Sequence, residues 1–351
     1  MKRIQPQDSE NFTVLQLSSA NGPVFRSVRR APVRNGRPGE IPIIDVSGLS
    51  SCNLAERQAI GDQIRAAATT IGFFYIPEET KNLVNDNKLY GFNGWKPLKS
   101  QRINEKESID LRESFSLTYS PIYDPKLNGY DGIPDHIKSY LPAPGTNEFW
   151  RHTASVPEFQ HDVIEYWRSC LSLSRKLLHT FALSLSLPEA YFDEKTSYPD
   201  AAMSINYYPP IPPDEDFKEE NVSIGSHTDF QFFTILWQDS TGGLEVLTPD
   251  GEWINAVPIK DTLVVNVGDY LMRITNDRYV STVHRAKNKS EKQTLSMAFF
   301  FGFNLSETCQ VLPTCIDEEH PAKYEPILCA DWIRKRAQAM YTAPEEILNK
   351  I

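Results

Sequence analysis

The fold is decided by the stretch IGSHTDFQFFTILWQDSTGGLEVL, residues 224–247, together with the chain that continues from it to residue 300. Short apolar runs alternate here with turn residues. The runs are Phe232 to Trp237, Leu244 to Leu247, Glu252 to Val257 and Thr262 to Val267, separated by Gly242-Gly243, Pro249-Asp250-Gly251 and Gly268-Asp269. Because glycine and Pro-Asp-Gly groups favour tight turns, the pattern predicts an antiparallel β domain of short strands.

Two histidines and one aspartate in this region are candidate metal ligands. Side chains at i and i+2 of a strand point the same way, so His227 and Asp229 can reach one ion. A later predicted strand, Val280 to His284, can bring His284 back beside them. Two imidazoles and a carboxylate leave adjacent positions of an octahedral ion open, which is typical of Fe(II) that activates O2. By itself a His-x-Asp pair is a weak motif, and a hydrogen-bonded polar couple would explain it without a metal.

The residues around these candidates resemble a known enzyme family. The motifs are HTD, LWQD-x-x-GGL-x-V, P-I-x-D-T-L-V-V-N-x-GD, TN-x-R-Y-x-S-T-x-HR and S-M-A-FFF, all between residues 227 and 301. They are similar to the core of the 2-oxoglutarate and Fe(II)-dependent dioxygenases, in the isopenicillin N synthase-like branch, and the similarity extends over most of residues 40 to 345. The resemblance implies a mainly β protein with flanking α-helices, built on a double-stranded β-helix core of the jelly-roll, cupin-like kind.

The resemblance also implies the cofactors and the chemistry. Fe(II) would be held by His227, Asp229 and His284, with 2-oxoglutarate and O2 at the open positions. Oxidative decarboxylation of 2-oxoglutarate would then drive hydroxylation, desaturation or ring formation or rearrangement of a small organic substrate, in the biosynthesis of a specialised metabolite. On the strand before the metal motif, Tyr208 would offer its hydroxyl to the co-substrate carboxylate, and Asn206 would lie near the metal-bound end.

One departure from the family pattern concerns the co-substrate. Relatives carry Arg-x-Ser after the last ligand, where a guanidinium forks onto the far carboxylate of 2-oxoglutarate. Here Ser296 is kept, but Thr294 stands in place of the arginine. Lys292, two residues earlier, is a candidate replacement, and Arg273 and Arg285 are others. Three interpretations stay open: binding of 2-oxoglutarate through another cation, a 2-oxoglutarate-independent iron oxidase of the isopenicillin N synthase type, or a catalytically impaired relative.

A second departure follows the predicted strand Phe73 to Ile76. Relatives continue with an N-H-G-I turn and a helix of about four turns, whereas this chain runs from Ile76 almost directly to Gly91. A support helix is therefore expected to be shortened or absent, which raises the question of whether activity is retained. The proline-rich, acidic loop from Pro210 to Glu220 fits either a mobile lid over the cavity or an exposed linker.

The remaining chain is expected to form one structural unit with the core. Residues 1–39 are expected to be a mostly irregular arm, 40–200 an α/β support region, 201–305 the jelly-roll core and 306–351 a helical tail. Apolar periodicity predicts helices at Leu54 to Thr70, within residues 157–187 and at Tyr324 to Tyr341, and a short strand at Ile41 to Ile44. Arg112 and Glu113, in the family-like run DLRESF, are interpreted as a surface pair, and His161 and His179 as structural.

Composition limits the partners. The chain has 351 residues, 40% of them hydrophobic, which is enough for a full core. A net charge of −10 without a block of Lys or Arg argues against nucleic acid or an anionic membrane as a partner. Five cysteines without a C-x-x-C pair fit free thiols in a reducing compartment. We therefore expect a cytoplasmic enzyme that uses a small-molecule substrate and O2, and that is monomeric or weakly homo-oligomeric.

Overall fold

The computed structural model describes residues 11–19, 22–77, 93–96, 98–99, 102–142, 150, 158–210 and 222–340, with the backbone alone for residues 76–77, 93–96 and 337–340. The expected shortened helix near residue 80 and most of the loop from residue 210 to residue 220 lie outside these residues. None of the described helices is long and apolar enough to span a membrane.

The described residues form strands and helices in the following chain order: β1 (Phe12–Leu17), β2 (Val24–Arg29), β3 (Arg34–Asn35), α1 (Leu54–Thr70), β4 (Phe73–Pro77), β5 (Asn93–Lys96), β6 (Glu113–Thr118), α2 (Asp135–Lys138), α3 (Phe159–Ser184), β7 (Pro199–Tyr208), β8 (Ile224–His227), β9 (Phe233–Gln238), β10 (Leu244–Leu247), β11 (Trp253–Asn255), β12 (Thr262–Val267), α4 (Asp269–Ile274), β13 (His284–Ala286), β14 (Thr294–Asn304), β15 (Thr308–Cys309), β16 (Ile327–Leu328) and α5 (Cys329–Met340).

Two sheets build the core. The larger has the strand order β4-β12-β9-β14-β7-β6-β5, and the smaller has the order β3-β11-β10-β13-β8. All pairs within these sheets are antiparallel except β3 with β11. Apolar side chains of both sheets meet in one buried cluster, which includes Phe73 and Val264 from the larger sheet and Val246 and Ile254 from the smaller. This is the double-stranded β-helix, or jelly roll, that the sequence predicted, with helices at its flank.

Helices α1 and α3 cover the outer face of the larger sheet. The Trp167 ring of α3 meets the Phe299 ring of β14 at 4.9 Å between centroids, and Phe181 of the same helix stacks on Phe233 of β9 at 5.3 Å. Each of these four side chains is essentially inaccessible to solvent. Because aromatic side chains bury large areas, these contacts fix the helices against the sheet and so support the strands that carry the site.

The amino-terminal arm is not mostly irregular, which corrects the expectation for the described part of residues 1–39. Strands β1 and β2 form an antiparallel hairpin, and β3 joins the smaller sheet beside β11. Leu17 and Val28 of the hairpin are buried against Leu247, Trp253 and Val283 on the outer face of that sheet. The arm is ordered because this sheet face is apolar and the hairpin removes it from water.

Several predicted boundaries are matched and others are shifted. Helix α1 begins and ends at the predicted residues, with the Asn53 side chain capping it by accepting a hydrogen bond from the amide of Ala55 at 3.0 Å. The expected strand at Ile41 to Ile44 is only one isolated bridge, Ile43 with Tyr75. Helix α4 was not predicted, since a six-residue helix is too short to show apolar periodicity. The predicted division of the chain into four regions stays a prediction.

Candidate metal and co-substrate site

The three predicted metal ligands meet at one end of the smaller sheet. His227 ends β8 and lies opposite His284, the first residue of the neighbouring β13. The spacing predicted that Asp229 lies in the same strand as His227. Asp229 lies instead in the turn that follows this strand, where its carbonyl accepts a hydrogen bond from the amide of Asp269 at 2.8 Å. Asp229 Oδ1 lies 3.6 Å from Nε2 of His227 and 3.6 Å from Nε2 of His284. One ligand atom from each residue lies within 4.8 Å of the others, which suits a shared ion.

Hydrogen bonds orient all three side chains. Nδ1 of His227 donates to the carbonyl of Gly225 at 2.8 Å, and Nδ1 of His284 donates to that of Thr282 at 3.1 Å. A proton on Nδ1 leaves the lone pair of Nε2 for a metal. Oδ2 of Asp229 accepts from Oγ1 of Thr234 at 2.5 Å and from Nδ2 of Asn266 at 2.8 Å, so Oδ1 remains for the ion. The residues present therefore fit Fe(II), in the two-histidine, one-carboxylate set that this metal uses.

Burial and neighbouring charges keep His227 and Asp229 in the protonation states that bind metal. Burial and the adjacent His284 lower the pKa of His227 to about 3, so its imidazole stays neutral. Burial acts to raise the pKa of Asp229, but the two histidines and the bonds from Asn266 and Thr234 hold it below its usual value. A neutral imidazole and an ionised carboxylate are the forms that donate electron pairs to a cation.

A cavity of about 330 Å³ opens in front of the three ligands. Hydroxyl side chains of β6 and β7 form one part of its wall: Ser114, Ser116, Thr118 and Ser204. Apolar side chains form another: Phe73, Ile103, Phe230, Leu236 and Phe300. Of the aromatic residues that follow the ligand pair, Phe230 faces this cavity, whereas Phe232 is in the core and Trp237 packs against it. The cavity is large enough for a small ligand and has both polar and apolar surfaces.

The predicted co-substrate residues line the same cavity. The hydroxyls of Tyr208 and Ser296 lie 3.0 Å apart on adjacent strands, and Nδ2 of Asn206 donates to Oγ of Ser296 at 3.4 Å. Tyr208 is buried, which raises the pKa of its phenol and keeps the hydroxyl protonated as a donor. Thr294 is directly opposite Tyr208 on β14, but its hydroxyl already donates to Oδ1 of Asp239 at 2.7 Å and to the carbonyl of Gly242 at 3.2 Å. Thr294 therefore brings neither a charge nor a free donor to the cavity.

The structure does not support Lys292 as the replacement for the missing arginine. Lys292 is exposed and is not among the residues that line the cavity. It precedes β14, where its backbone closes a turn with Ser290, so strand parity does not carry its side chain inward. Arg273 is also unsuitable, because its guanidinium lies over the rings of Tyr324 and Trp332, away from the cavity.

Arg112 is the site residue that sequence reasoning misplaced. It was interpreted as a surface residue paired with Glu113, but its side chain is only 13% exposed and it lines the cavity. Its Nη1 donates to Oδ1 of Asn206 at 3.0 Å. The parity of β6 could have revealed this, since Ser114 and Ser116 pair with Asn206 and Ser204 and all four face inward. Sequence alone did not show which side of β6 faces the metal.

Comparisons with known proteins agree with this geometry. The model of the 2OG-Fe(II) oxygenase superfamily matches residues 199–303. The 2-oxoglutarate-Fe(II) type oxidoreductase ppzC of Metarhizium majus is 45% identical, over 92% of this chain and 93% of the relative. The 2-oxoglutarate-Fe(II) type oxidoreductase hxnY of Emericella nidulans is 35% identical, over 81% of this chain and 78% of the relative.

A solved structure with the same fold is that of a full-length Neurospora crassa protein in complex with alpha-KG and thymine. It has a TM-score of 0.66 and 23% identity, over 86% of this chain and 97% of the other. The chain belongs to the 2-oxoglutarate and Fe(II)-dependent oxygenases. It is an oxidoreductase of the dioxygenase kind, and its cofactors are Fe(II) and 2-oxoglutarate.

Proposed function

We propose that this oxygenase oxidises a small organic molecule in the cavity in front of the metal ligands, in the biosynthesis of a specialised metabolite. The observation that carries the proposal is the convergence of His227, Asp229 and His284, with their free ligand atoms aimed at one point. The outcome is hydroxylation, desaturation or ring formation or rearrangement, reactions that share removal of hydrogen from a substrate carbon.

The chain's own residues would bind and orient the reactants. His227, Asp229 and His284 would hold Fe(II), which together with 2-oxoglutarate and O2 supplies the oxidising chemistry. Ser296 and Tyr208 would donate hydrogen bonds to the co-substrate, because their hydroxyls lie side by side in the cavity wall. The apolar wall around Phe230 would exclude bulk water from the reacting carbon, which protects the oxidant from side reactions.

The two kinds of wall indicate the substrate class. Hydroxyls of β6 and β7 favour a substrate with polar groups, and the aromatic and aliphatic side chains favour one with an apolar body. We further propose a monomer or weak homo-oligomer. The acidic composition supports the absence of nucleic-acid or anionic-membrane partners, and five cysteines without a C-x-x-C pair support a location in the cytoplasm.

The test is an anaerobic titration of the purified protein with Fe(II) and then 2-oxoglutarate, followed by the weak visible charge-transfer band of the chelate. We expect a saturable band in the wild type and none in His284→Ala. A screen of polar-apolar small molecules should then find substrates that increase succinate release. Equal iron occupancy in His284→Ala and the wild type would reject the ligand assignment, and succinate release that no tested small molecule increases would count against this substrate class.

A further inference from the structure

The cavity has three Lys or Arg residues in its wall among the described residues, and one of them is turned to the outer side of the smaller sheet. They are Arg112, Arg285 and Lys287. Arg285 pairs with Glu245 at 2.7 Å and lies 4.0 Å over the ring of Trp253, which packs against the amino-terminal hairpin. Lys287 is buried, and its backbone amide donates to the carbonyl of Gly243 at 2.8 Å.

Arg112 lies inside the barrel beside the co-substrate residues. In the register of β6 with β7, Ser114 is opposite Asn206, so two residues earlier Arg112 comes next to Tyr208. The bond from its Nη1 to Asn206 holds the guanidinium there. Its charge also favours a lower pKa at Tyr208, where burial is the larger influence.

One edge of the Arg112 guanidinium has donors to offer. Nε is buried and has no hydrogen-bond partner within the described part of the chain. Nη2 lies 3.6 Å from Oδ2 of Asp110, which is too long for a hydrogen bond. Nε and Nη2 together are the edge that binds a carboxylate through two parallel hydrogen bonds. Asp110 is already bonded through Oδ1 to the amides of Ile103 and Gly225, so it is fixed in the loop beside the arginine.

We propose that Arg112 pairs with the far carboxylate of 2-oxoglutarate and so supplies the cation that position 294 lacks. This inference rests on the proposed function of the site. A dianionic co-substrate in a closed cavity needs a compensating positive charge, and Thr294 offers none. A carboxylate on the organic substrate is the other group that Arg112 could bind. Its place next to Tyr208 and Asn206, which reach Ser296, favours the co-substrate.

The experiment compares two ligands in four proteins. The ligands are 2-oxoglutarate and 2-oxopentanoate, which chelates in the same way but has a methyl group in place of the far carboxylate. The proteins are the wild type, Arg112→Gln, Arg112→Lys and Lys292→Gln, each titrated anaerobically in the presence of Fe(II). The readouts are ligand affinity from the chelate band and Fe(II) affinity, neither of which requires turnover.

We expect the wild type to bind 2-oxoglutarate much more tightly than 2-oxopentanoate. In Arg112→Gln the ratio of these two affinities should fall by about 10- to 100-fold, with unchanged Fe(II) affinity. Arg112→Lys should keep part of the preference, because it retains the charge but not the fork. Lys292→Gln should match the wild type, since Lys292 is exposed. If Arg112→Gln does not fold, Arg112→Lys is compared with the wild type instead. A preference for 2-oxoglutarate over 2-oxopentanoate as strong as that of the wild type would then show that the two parallel hydrogen bonds from Arg112 are not made.

Two results would overturn the proposal. If Arg112→Gln preferred 2-oxoglutarate over 2-oxopentanoate as strongly as the wild type does, Arg112 would not bind the co-substrate, and the organic substrate would be its remaining ligand. An equal loss for both ligands would mean that Arg112 acts only within the protein, by neutralising Asp110. If the wild type bound Fe(II) but neither ligand, the proposed function itself would fail, and that result is distinct from the other two.

Discussion

The two oxygens of Asp229 have different partners, and this arrangement leaves one oxygen available for a metal ion. Oδ2 is occupied by Thr234 and Asn266, while Oδ1 faces both imidazoles. A carboxylate that is already fixed loses little rotational freedom when it binds an ion. The partners of Asp229 come from β9 and β12 of the larger sheet, although the ligands themselves belong to the smaller sheet and its turn.

Replacement of Asn266 should therefore weaken metal binding. Asn266→Ala removes one of the two donors to Oδ2 of Asp229, and we expect Fe(II) affinity to fall by about 10- to 100-fold. Anaerobic Fe(II) titration measures this. The matched control is Asn255→Ala on β11. The side-chain amide of Asn255 donates to Oδ1 of Asn35 at 3.0 Å, outside the cavity lining, so this substitution should leave Fe(II) affinity unchanged. Wild-type affinity in Asn266→Ala would mean that Thr234 alone orients the carboxylate.

At the scale of elements, a buried ion pair joins the end of β6 to α3. Asp124 is fully buried and bonds Arg175 of α3 through both its oxygens, and it also accepts from the hydroxyl of Tyr119 at 2.9 Å. Burial acts to raise the pKa of Asp124, but Arg175 and the hydrogen bonds outweigh it and hold the pKa below its usual value. The pair holds the loop after β6 against the helix, and β6 carries the inward-facing residues of the cavity wall.

Asp124→Asn should lower the free energy of unfolding by about 3 kcal/mol at pH 7, because it leaves Arg175 buried without its counter-charge. A folded-state pKa below the unfolded value of about 3.9 stabilises the protein above that pH, and this contribution disappears as the pH falls through the folded-state pKa. The difference in the free energy of unfolding between the wild type and Asp124→Asn should therefore become smaller below about pH 4. Urea unfolding across this range measures it.

The control for this prediction is Asp331→Asn. Asp331 pairs with Arg334 on α5 at 2.7 Å, but both side chains are exposed, so the change should be within about 0.5 kcal/mol at pH 7. A gap between wild type and Asp124→Asn that stays constant down to acid pH would contradict the argument from charge and assign the loss to packing.

At the scale of the whole molecule, Arg336 connects three distant parts of the chain. It lies on α5, is buried and donates to the carbonyl of Ser18 in the amino-terminal arm at 2.7 Å. It also donates to Thr228, between two metal ligands, and pairs with Asp269 at 3.1 Å. Its guanidinium stacks 4.4 Å from the centre of the Phe230 ring in the cavity wall. The carboxyl-terminal helix and the arm thus hold the turn that carries Asp229.

Arg336→Met should loosen this connection. The variant keeps an apolar stem but leaves Asp269 buried without its partner, so we expect a loss of about 3 kcal/mol in the free energy of unfolding. Hydrogen exchange should also accelerate in residues 11–19 and 227–231, which have no sequence proximity to α5. Arg334→Met, two residues earlier and exposed, is the control that should change neither. Faster exchange confined to α5 would contradict the proposed connection.

Much of the core could be predicted because its signals are local. The alternation of apolar residues and the turn residues located β10 and β12 at their observed bounds. Apolar periodicity located α1 at its observed bounds, and Ile60, Ile64 and Ala67 of this helix are buried. The strand that was expected to end at His284 instead begins there, since its pairing with β8 starts at that residue.

The sequence by itself indicated an antiparallel β domain and three candidate metal ligands, because strand period, turn chemistry and ligand type are all properties of short segments, and its resemblance to the family implied the jelly roll. Only the tertiary structure showed that Arg112 lines the cavity and that Lys292 is not among the lining residues. Lys292 was two residues from the vacant arginine position and proved to be exposed, whereas Arg112 comes from the segment just before β6, far away in sequence. The facing of a side chain depends on which strands pair and in what register, and those pairings join segments that are about a hundred residues apart.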